Sequence, residues 1–160
     1  MKLIFESKNI SFIEITEELI NDYLAMINDY ENVEKYIGGV YSTFTKEQEE
    51  EWVKCKLKEK TLIFSMIDKK ENKFIGNIEL MEPNCDYAEL GIAITATMQN
   101  KGYGKEAIKT ILDYSFNVLN LKRVFLRTRL FNARAIHVYN ACGFKEYKKD
   151  TEHIFMEIYK

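Results

Sequence analysis

Gln99-Asn100-Lys101-Gly102-Tyr103-Gly104-Lys105 is the most informative stretch of the chain. It lies between an apolar run with strand character, Tyr87–Thr95, and a long amphipathic pattern that begins near Tyr103. Glycines let a backbone turn tightly and bring its N–H groups close to a ligand. A helix start adds unpaired donors and the positive end of the helix dipole. Lys101 and Lys105 supply two cations, so the segment suits a pyrophosphate. A Walker A reading fails, because Glu106 follows Gly104-Lys105 where a hydroxyl residue is required and Gln99 stands where the first glycine belongs. A dinucleotide fingerprint can be written as Gly102-x-Gly104-x-x-Ala107. It comes late in the chain, however, and the strand after it offers Arg127 and Arg129 instead of a ribose-binding acid.

The elements on either side set the architecture. Downstream, a helix is expected from about Tyr103 to Leu119, with Ala107, Ile108, Ile111, Leu112, Ser115 and Phe116 inward. A strand Arg123–Leu130, a helix from about Ala133 to Cys142 closed by Gly143, and a last strand His153–Tyr159 follow. Upstream, Asn9–Ile15 reads as a strand with Ile13 and Ile15 on one side and Phe12 on the other. Thr16 then caps a helix carrying Leu19, Ile20, Tyr23, Leu24 and Ile27. A short helix holds Val33, Tyr36 and Ile37 and stops at Gly38-Gly39. Thr45-x-x-Gln48 has the form of a capping box opening a helix to about Lys60, with Trp52, Val53 and Leu57 inward and Glu49-Glu50-Glu51 as a solvated face. Strands Thr61–Ile67 and Lys73–Leu80 join through a polar turn. An antiparallel meander followed by strand–helix–strand predicts an α/β (α+β mixed) fold, a mostly antiparallel twisted sheet with helices on both faces.

Composition narrows the function. The 160 residues suit one domain, 1–160. With 46% hydrophobic and 30% charged residues, and a single proline, the chain is neither disordered nor fibrous. A net charge of −2 is no nucleic-acid footprint, and no apolar run reaches the length of a membrane span. An acidic front half and a basic back half suit a cationic substrate and an anionic cofactor. Cys55, Cys85 and Cys142 are few and far apart, which argues against a disulfide framework or a zinc cluster, and no metal set is visible. The start meets a charge too soon for a signal peptide, so a cytoplasmic location is expected. A thiol-hydrolase reading of Cys142 with His137 fails, since five residues on a helix do not share a face and a last-turn position does not favour a thiolate.

Gln99-x-x-Gly102-x-Gly104 and, downstream, Asn132-x-x-Ala135-x-x-x-Tyr139-x-x-x-Gly143-Phe144 together resemble two signatures of the GNAT superfamily of N-acetyltransferases. The likeness covers about residues 60–147. Within the superfamily, Leu112–Leu121 and Ala135–Tyr139 are similar to the ribosomal-protein and spermidine acetyltransferase branch. The segment Glu146–His153 is shorter than that branch usually has, which leaves the acceptor open.

The resemblance implies a GNAT-like acyl-CoA acyltransferase fold and acetyl transfer from acetyl-CoA to a small-molecule or peptide amine, such as a polyamine or a protein N-terminus. It implies that Gln99, Asn100, Lys101, Gly102, Tyr103, Gly104 and Lys105 hold the diphosphate. The backbones of Ile92, Ala93 and Ile94 would line the pantetheine, and Asn132 and Ala135 would flank it. Tyr139 becomes the expected general acid toward the departing thiolate, and Glu89 the expected base, acting through water. Without the motif, Tyr139 reads as core packing and Glu89 as a surface partner of a basic residue. Glu79 and Glu82 are less well placed. Asp29, Glu31 and Glu34 are candidates to attract a cationic acceptor. Homodimers are common among such proteins, so a homodimer stays open. A coenzyme A-binding module with the same fold and no turnover is the other open reading.

Overall fold

Alternation of apolar residues builds one eight-stranded sheet, and the helices cover its two faces unequally. The structure, a computed structural model, describes residues 1–39, 41 and 43–160. In chain order the elements are β1 Leu3–Glu6, β2 Ile10–Glu14, α1 Ile20–Ile27, α2 Lys46–Glu59, β3 Leu62–Asp68, β4 Phe74–Met81 and β5 Tyr87–Ile94. They continue with α3 Tyr103–Asp113, β6 Arg123–Arg129, α4 Ala133–Ala141, β7 Lys145–Lys149 and β8 His153–Tyr159. The strand order is β1-β2-β3-β4-β5-β6-β8-β7. Every neighbouring pair is antiparallel except β5 and β6, which α3 links in parallel.

The period-2 rule assigns the faces. Phe12, Met66, Ile78, Leu80, Ala88, Leu90, Val124, Leu126, Ile154 and Met156 point to one side. There they pack in a single core with Ala107, Ile108, Ile111 and Leu112 of α3 and Tyr139 of α4. Ile13, Ile15, Ile63 and Ile67 point to the other side and bury Ile20, Tyr23 and Met26 of α1 and Val53 of α2. The β5–β6–β8 half of this second face carries neither α1 nor α2 in its apolar cluster. Its residues are Glu89, Gly91, Phe125, Arg127, Arg129, Phe155 and Glu157.

Local chemistry fixes the helix ends. The capping box is complete: Thr45 Oγ1 accepts from the Gln48 N–H, and Gln48 Oε1 accepts from the Thr45 N–H. Thr16 Oγ1 accepts from the Glu18 N–H and starts a 3₁₀ turn, Glu17–Leu19, that leads into α1. A one-way chain ties α1 to the sheet. The Thr16 N–H donates to Tyr23 Oη, Tyr23 and Ser65 hydroxyls lie 2.7 Å apart, and Ser65 Oγ donates to Asn77 Oδ1 at 2.9 Å.

Several expectations are corrected. β1 and β7 were not legible as strands, because the first is four residues long and the second reads Lys-Glu-Tyr-Lys-Lys with every side chain exposed. The short second helix is a single 3₁₀ turn, Glu34–Tyr36. The helix expected to Leu119 is α-helical only to Asp113. It continues as a π turn, Tyr114–Val118, in which the Leu119 N–H reaches back to the Tyr114 carbonyl. Ser115 Oγ donates to the Ile111 carbonyl at 2.6 Å, a side-chain intrusion of the kind that widens a helix. Glu49 is not on a solvated face. It is 6% exposed at the start of α2, and burial holds its carboxyl above the usual carboxylate range. Leu57, expected inward, is exposed.

Candidate active site

The parallel pair β5–β6 separates partway along. Pairing runs through Tyr87–Arg123, Ala88–Val124 and Glu89–Phe125 and stops there, although β5 continues to Ile94 and β6 to Arg129. A wedge-shaped gap therefore opens in the sheet beyond Leu90 and Leu126. The Thr95 N–H donates to the Ile75 carbonyl. Alternation along the antiparallel ladder then turns the Ala93 backbone toward β4 and the backbones of Ile92 and Ile94 toward the gap. Of the three backbones expected to line an acyl carrier, two face it and Ala93 does not. The side chains of Ile92 and Ile94 pack on the first core and that of Ala93 on the second.

The glycine loop lies at the wide end of this gap. Gly102 holds φ +86, a conformation that favours glycine, and nothing lies within 4 Å of where its Cβ would be. Asn100 is also left-handed, at φ 60. The Glu106 N–H is the first in the helix to find a backbone carbonyl, that of Gly102. Among the described residues, the backbone N–H groups of Asn100 through Lys105 donate to no protein acceptor. Six donors, the helix dipole and the exposed Lys101 and Lys105 thus converge where an anion fits.

Two side chains expected to touch that anion instead hold the loop. Gln99 Nε2 donates to the Ile94 carbonyl at 2.8 Å and to the Asn32 carbonyl at 3.0 Å, pinning the loop to β5 and to the segment after α1. Tyr103 Oη donates to Asp68 at 2.9 Å. Asn132 caps α4 by accepting from the Ala135 N–H. Sequence reasoning missed Arg134, an unassigned position inside the second motif. Its guanidinium donates to Gln99 Oε1 at 3.0 Å and to Asn100 Oδ1 at 3.4 Å, which sets a third cation over the loop.

Tyr139 is 8% exposed in the same core as Leu90 and Leu126, the first residues past the end of pairing. Its ring meets Phe144 edge to face, and no described group hydrogen-bonds its hydroxyl. Burial, with the nearby Cys142, pushes its pKa to about 12, so it remains a proton donor throughout the physiological range. Burial also holds the Cys142 thiol above its ordinary value, against Lys109 and Lys105.

Glu89 lies on the open face, with Arg127 Nε 3.6 Å away. Glu79, judged less well placed from sequence, is its diagonal neighbour: Glu79 pairs with Gly91 and Met81 with Glu89. A Cβ on Gly91 would approach Glu79 Oε1 to 3.1 Å, so the glycine makes the floor under this carboxylate. Burial, reinforced by Glu89 and opposed by Lys56, holds Glu79 above the usual carboxylate range. Glu82 is exposed. The N-terminal acids are already engaged. Asp29 accepts from the Asn32 backbone and side chain, Glu31 pairs with Lys35 at 3.1 Å, and Glu34 is buried. Among the described residues no group of His, Cys, Asp and Glu is arranged to hold a metal, and no helix is long and apolar enough to cross a membrane.

Comparison with known proteins gives a consistent result. The acetyltransferase (GNAT) domain model matches residues 9–145. Spermidine N(1)-acetyltransferase of Vibrio cholerae is 36% identical over 93 residues, covering 57% of this chain and 54% of the relative. The Escherichia coli K12 enzyme of the same name is 37% identical over 87 residues, covering 48% and 47%. The matches span about half the length of these curated relatives. A GNAT-family acetyltransferase structure from Bacillus anthracis superposes with a TM-score of 0.85 at 20% identity, over 99% of this chain and 98% of that one. A spermidine N-acetyltransferase from Vibrio cholerae, in complex with CoA and spermine, gives 0.86 at 23% identity over 96% of each chain. These structures share the fold.

Proposed function

The chain belongs to the GNAT acetyltransferase family, and on that premise we propose that it carries the acetyl group of acetyl-CoA to a primary amine, by direct attack in a ternary complex. The acceptor is a small-molecule amine, such as a polyamine, or a protein N-terminus, and the reaction takes place in the cytoplasm within one N-acetyltransferase domain, 1–160. The observation that carries this reading is the gap between β5 and β6 with six free N–H groups at its mouth.

The residues fit such a donor. Acetyl-CoA supplies an activated thioester with a diphosphate at the far end of its arm. The N–H groups of Asn100 to Lys105, with Lys101, Lys105 and Arg134, would hold the diphosphate. The freed edge of β5 offers Ile92 and Ile94 backbone groups to the amides of the arm, as an added strand would use them. Of the Ile94 pair only the N–H is free, since Gln99 already occupies the carbonyl. Glu89, with Glu79 beside it, takes the proton that an alkylammonium must lose before it attacks. Tyr139 keeps its proton to pH well above neutral and returns it to the leaving sulfur. In this reading β5 supplies both the arm-binding backbones and Glu89, α4 supplies Tyr139, and the loop before α3 supplies the diphosphate donors.

Calorimetric titration of the full chain with acetyl-CoA, followed by thiol release with a panel of amines, tests the proposal. Binding at micromolar concentration with amine-dependent release is expected. Absence of binding below millimolar concentration overturns the reading.

A further inference from the structure

The open face beside the gap carries both signs of charge. Burial alternates along β6, so Arg123, Phe125, Arg127 and Arg129 share the face on which Glu79 and Glu89 lie. Arg123 is spoken for. Its Nε donates to Glu157 at 2.6 Å and its guanidinium lies over the Phe125 and Tyr147 rings. The other two arginines are weakly committed. Arg127 is largely exposed, and its one ion pair, to Glu89, is 3.6 Å long. Arg129 reaches the Gly38 carbonyl at 3.3 Å and Glu152 at 3.4 Å, and among the described residues none accepts from its buried Nε. A guanidinium is the side chain best shaped to hold a carboxylate or carbonyl oxygen.

The carboxylates tell the complementary half. A polyamine presents several cations along one chain and needs acids spaced to match. Glu79 and Glu89 are diagonal neighbours and can serve one amine. Beyond them along the face come Arg127 and Arg129, which would repel a second ammonium. Glu157 is engaged with Arg123, and Asp29 and Glu31 with their own neighbours, while Glu152 is held only loosely, by Arg129 at 3.4 Å.

We infer that the acceptor is an α-amino compound, with Glu79 and Glu89 receiving its amine and Arg127 and Arg129 receiving the carbonyl or carboxylate oxygen next to it. The inference rests on the acetyl-transfer reading above and narrows it. It also suits the chemistry of the attack. An α-amino group beside a peptide or amide carbonyl has a pKa of about 8 against roughly 10.4 for an alkylamine like lysine, so far more of it is neutral at pH 7 and the base has less to do.

Thiol release from acetyl-CoA by the full chain is to be measured with alaninamide, a short peptide with a free N-terminus, free alanine, isopropylamine and spermidine. Rates are compared at equal concentration of neutral amine. The oxygen-bearing acceptors should exceed isopropylamine and spermidine by about tenfold to a hundredfold in kcat/KM, the range of one charge-assisted hydrogen bond. Arg127→Gln, at an exposed position, should reduce that ratio toward one while the KM for acetyl-CoA stays the same. A merely structural role would lower all acceptors together and leave the ratio intact, which would overturn the inference. Peptide above free alanine places a backbone carbonyl at the arginines, and the reverse order places a free carboxylate there; either supports the inference. Spermidine as the best acceptor overturns it and leaves acetyl transfer standing. Release with no amine at all overturns both.

Discussion

Tyr139→Phe separates a catalytic hydroxyl from a structural one, because the structure makes opposite demands of the two roles. Tyr139 is 8% exposed and no described group hydrogen-bonds its hydroxyl, so phenylalanine would lose no described hydrogen bond. Removing the hydroxyl breaks no described hydrogen bond, and the ring contact with Phe144 is retained. Thermal unfolding should therefore occur at about the same temperature. Turnover should behave in the opposite way. A positioned general acid contributes roughly 10²–10⁴-fold, so kcat should fall by that factor while the dissociation constant for acetyl-CoA stays within about threefold. The pH profile adds a third reading. With its pKa near 12, Tyr139 stays protonated from pH 6 to pH 10, so the native enzyme should show no loss of kcat from this group in that window. Steady-state thiol release, calorimetry and a thermal melt on the same two proteins suffice. A variant that keeps its turnover, or one that melts several degrees lower, refutes the assignment.

Gly102→Ala should keep the fold, since space is open around the missing Cβ, at a cost of about 1 kcal/mol for a left-handed alanine. Its methyl group would occupy the cradle itself, so calorimetry should show at least a tenfold weaker affinity for acetyl-CoA. Burial works against Glu106, but hydrogen bonds from Ser7 Oγ at 2.6 Å, the Asn9 N–H at 2.7 Å and Asn9 Nδ2 at 2.8 Å outweigh it and hold the carboxyl below its ordinary value. A depressed carboxyl stabilises the fold above its unfolded pKa of 4.5 and loses that contribution as pH falls through the folded value. Glu106→Gln should thus cost about 1 kcal/mol in urea unfolding at pH 7, near the low end for charged hydrogen bonds because solvent reaches the group, and progressively less below pH 4. Glu49 has the reverse sign. Its raised carboxyl penalises the fold once pH exceeds 4.5, so Glu49→Gln should stabilise the protein at pH 8 and change little at pH 4 by the same assay.

Where a single local rule operated, the sequence was sufficient to locate an element. Thr45 and Gln48 announce α2 through their own reciprocal hydrogen bonds, and Gly143, at φ +96, closes α4 as a C-terminal glycine should. β7 was hidden because it is an edge strand without an inward apolar face. Its lysines protect an open edge and leave no alternation to read. The π turn was hidden because Tyr114–Val118 keeps enough helical spacing to pass for more α-helix, and Ser115 looks like an ordinary small residue until its hydroxyl meets the Ile111 carbonyl. Glu49 was misread because a run of three glutamates hides which one turns inward, and Trp52 and Val53, three and four residues on, are the local signs.

The site divides along a similar line, and the division explains which of its parts a motif can carry. The proposed diphosphate cradle is made of backbone N–H groups over six consecutive residues, Asn100–Lys105, so its requirement is written locally as two glycines. Tyr139, the proposed acid, is likewise specified locally, through its fixed distance from Asn132 on one helix. The acceptor side has no such compactness. Glu79 meets Glu89 only through the β4–β5 register, Gly91 matters only because it lies across from Glu79, and Arg127 and Arg129 join them only because β6 lies parallel to β5 before parting from it. A shift of one residue in either ladder would turn these side chains into the opposite core and leave the cradle untouched. The proposed diphosphate loop and the acceptor face are therefore separable, whereas the arm-binding edge and Glu89 share β5 and its register. Substitutions on the open face can change the amine while Gln99 to Lys105 still present the same loop. A strong likeness in the loop and in α4 is for that reason evidence about the donor, and the charges of β4, β5 and β6 are the evidence about the acceptor.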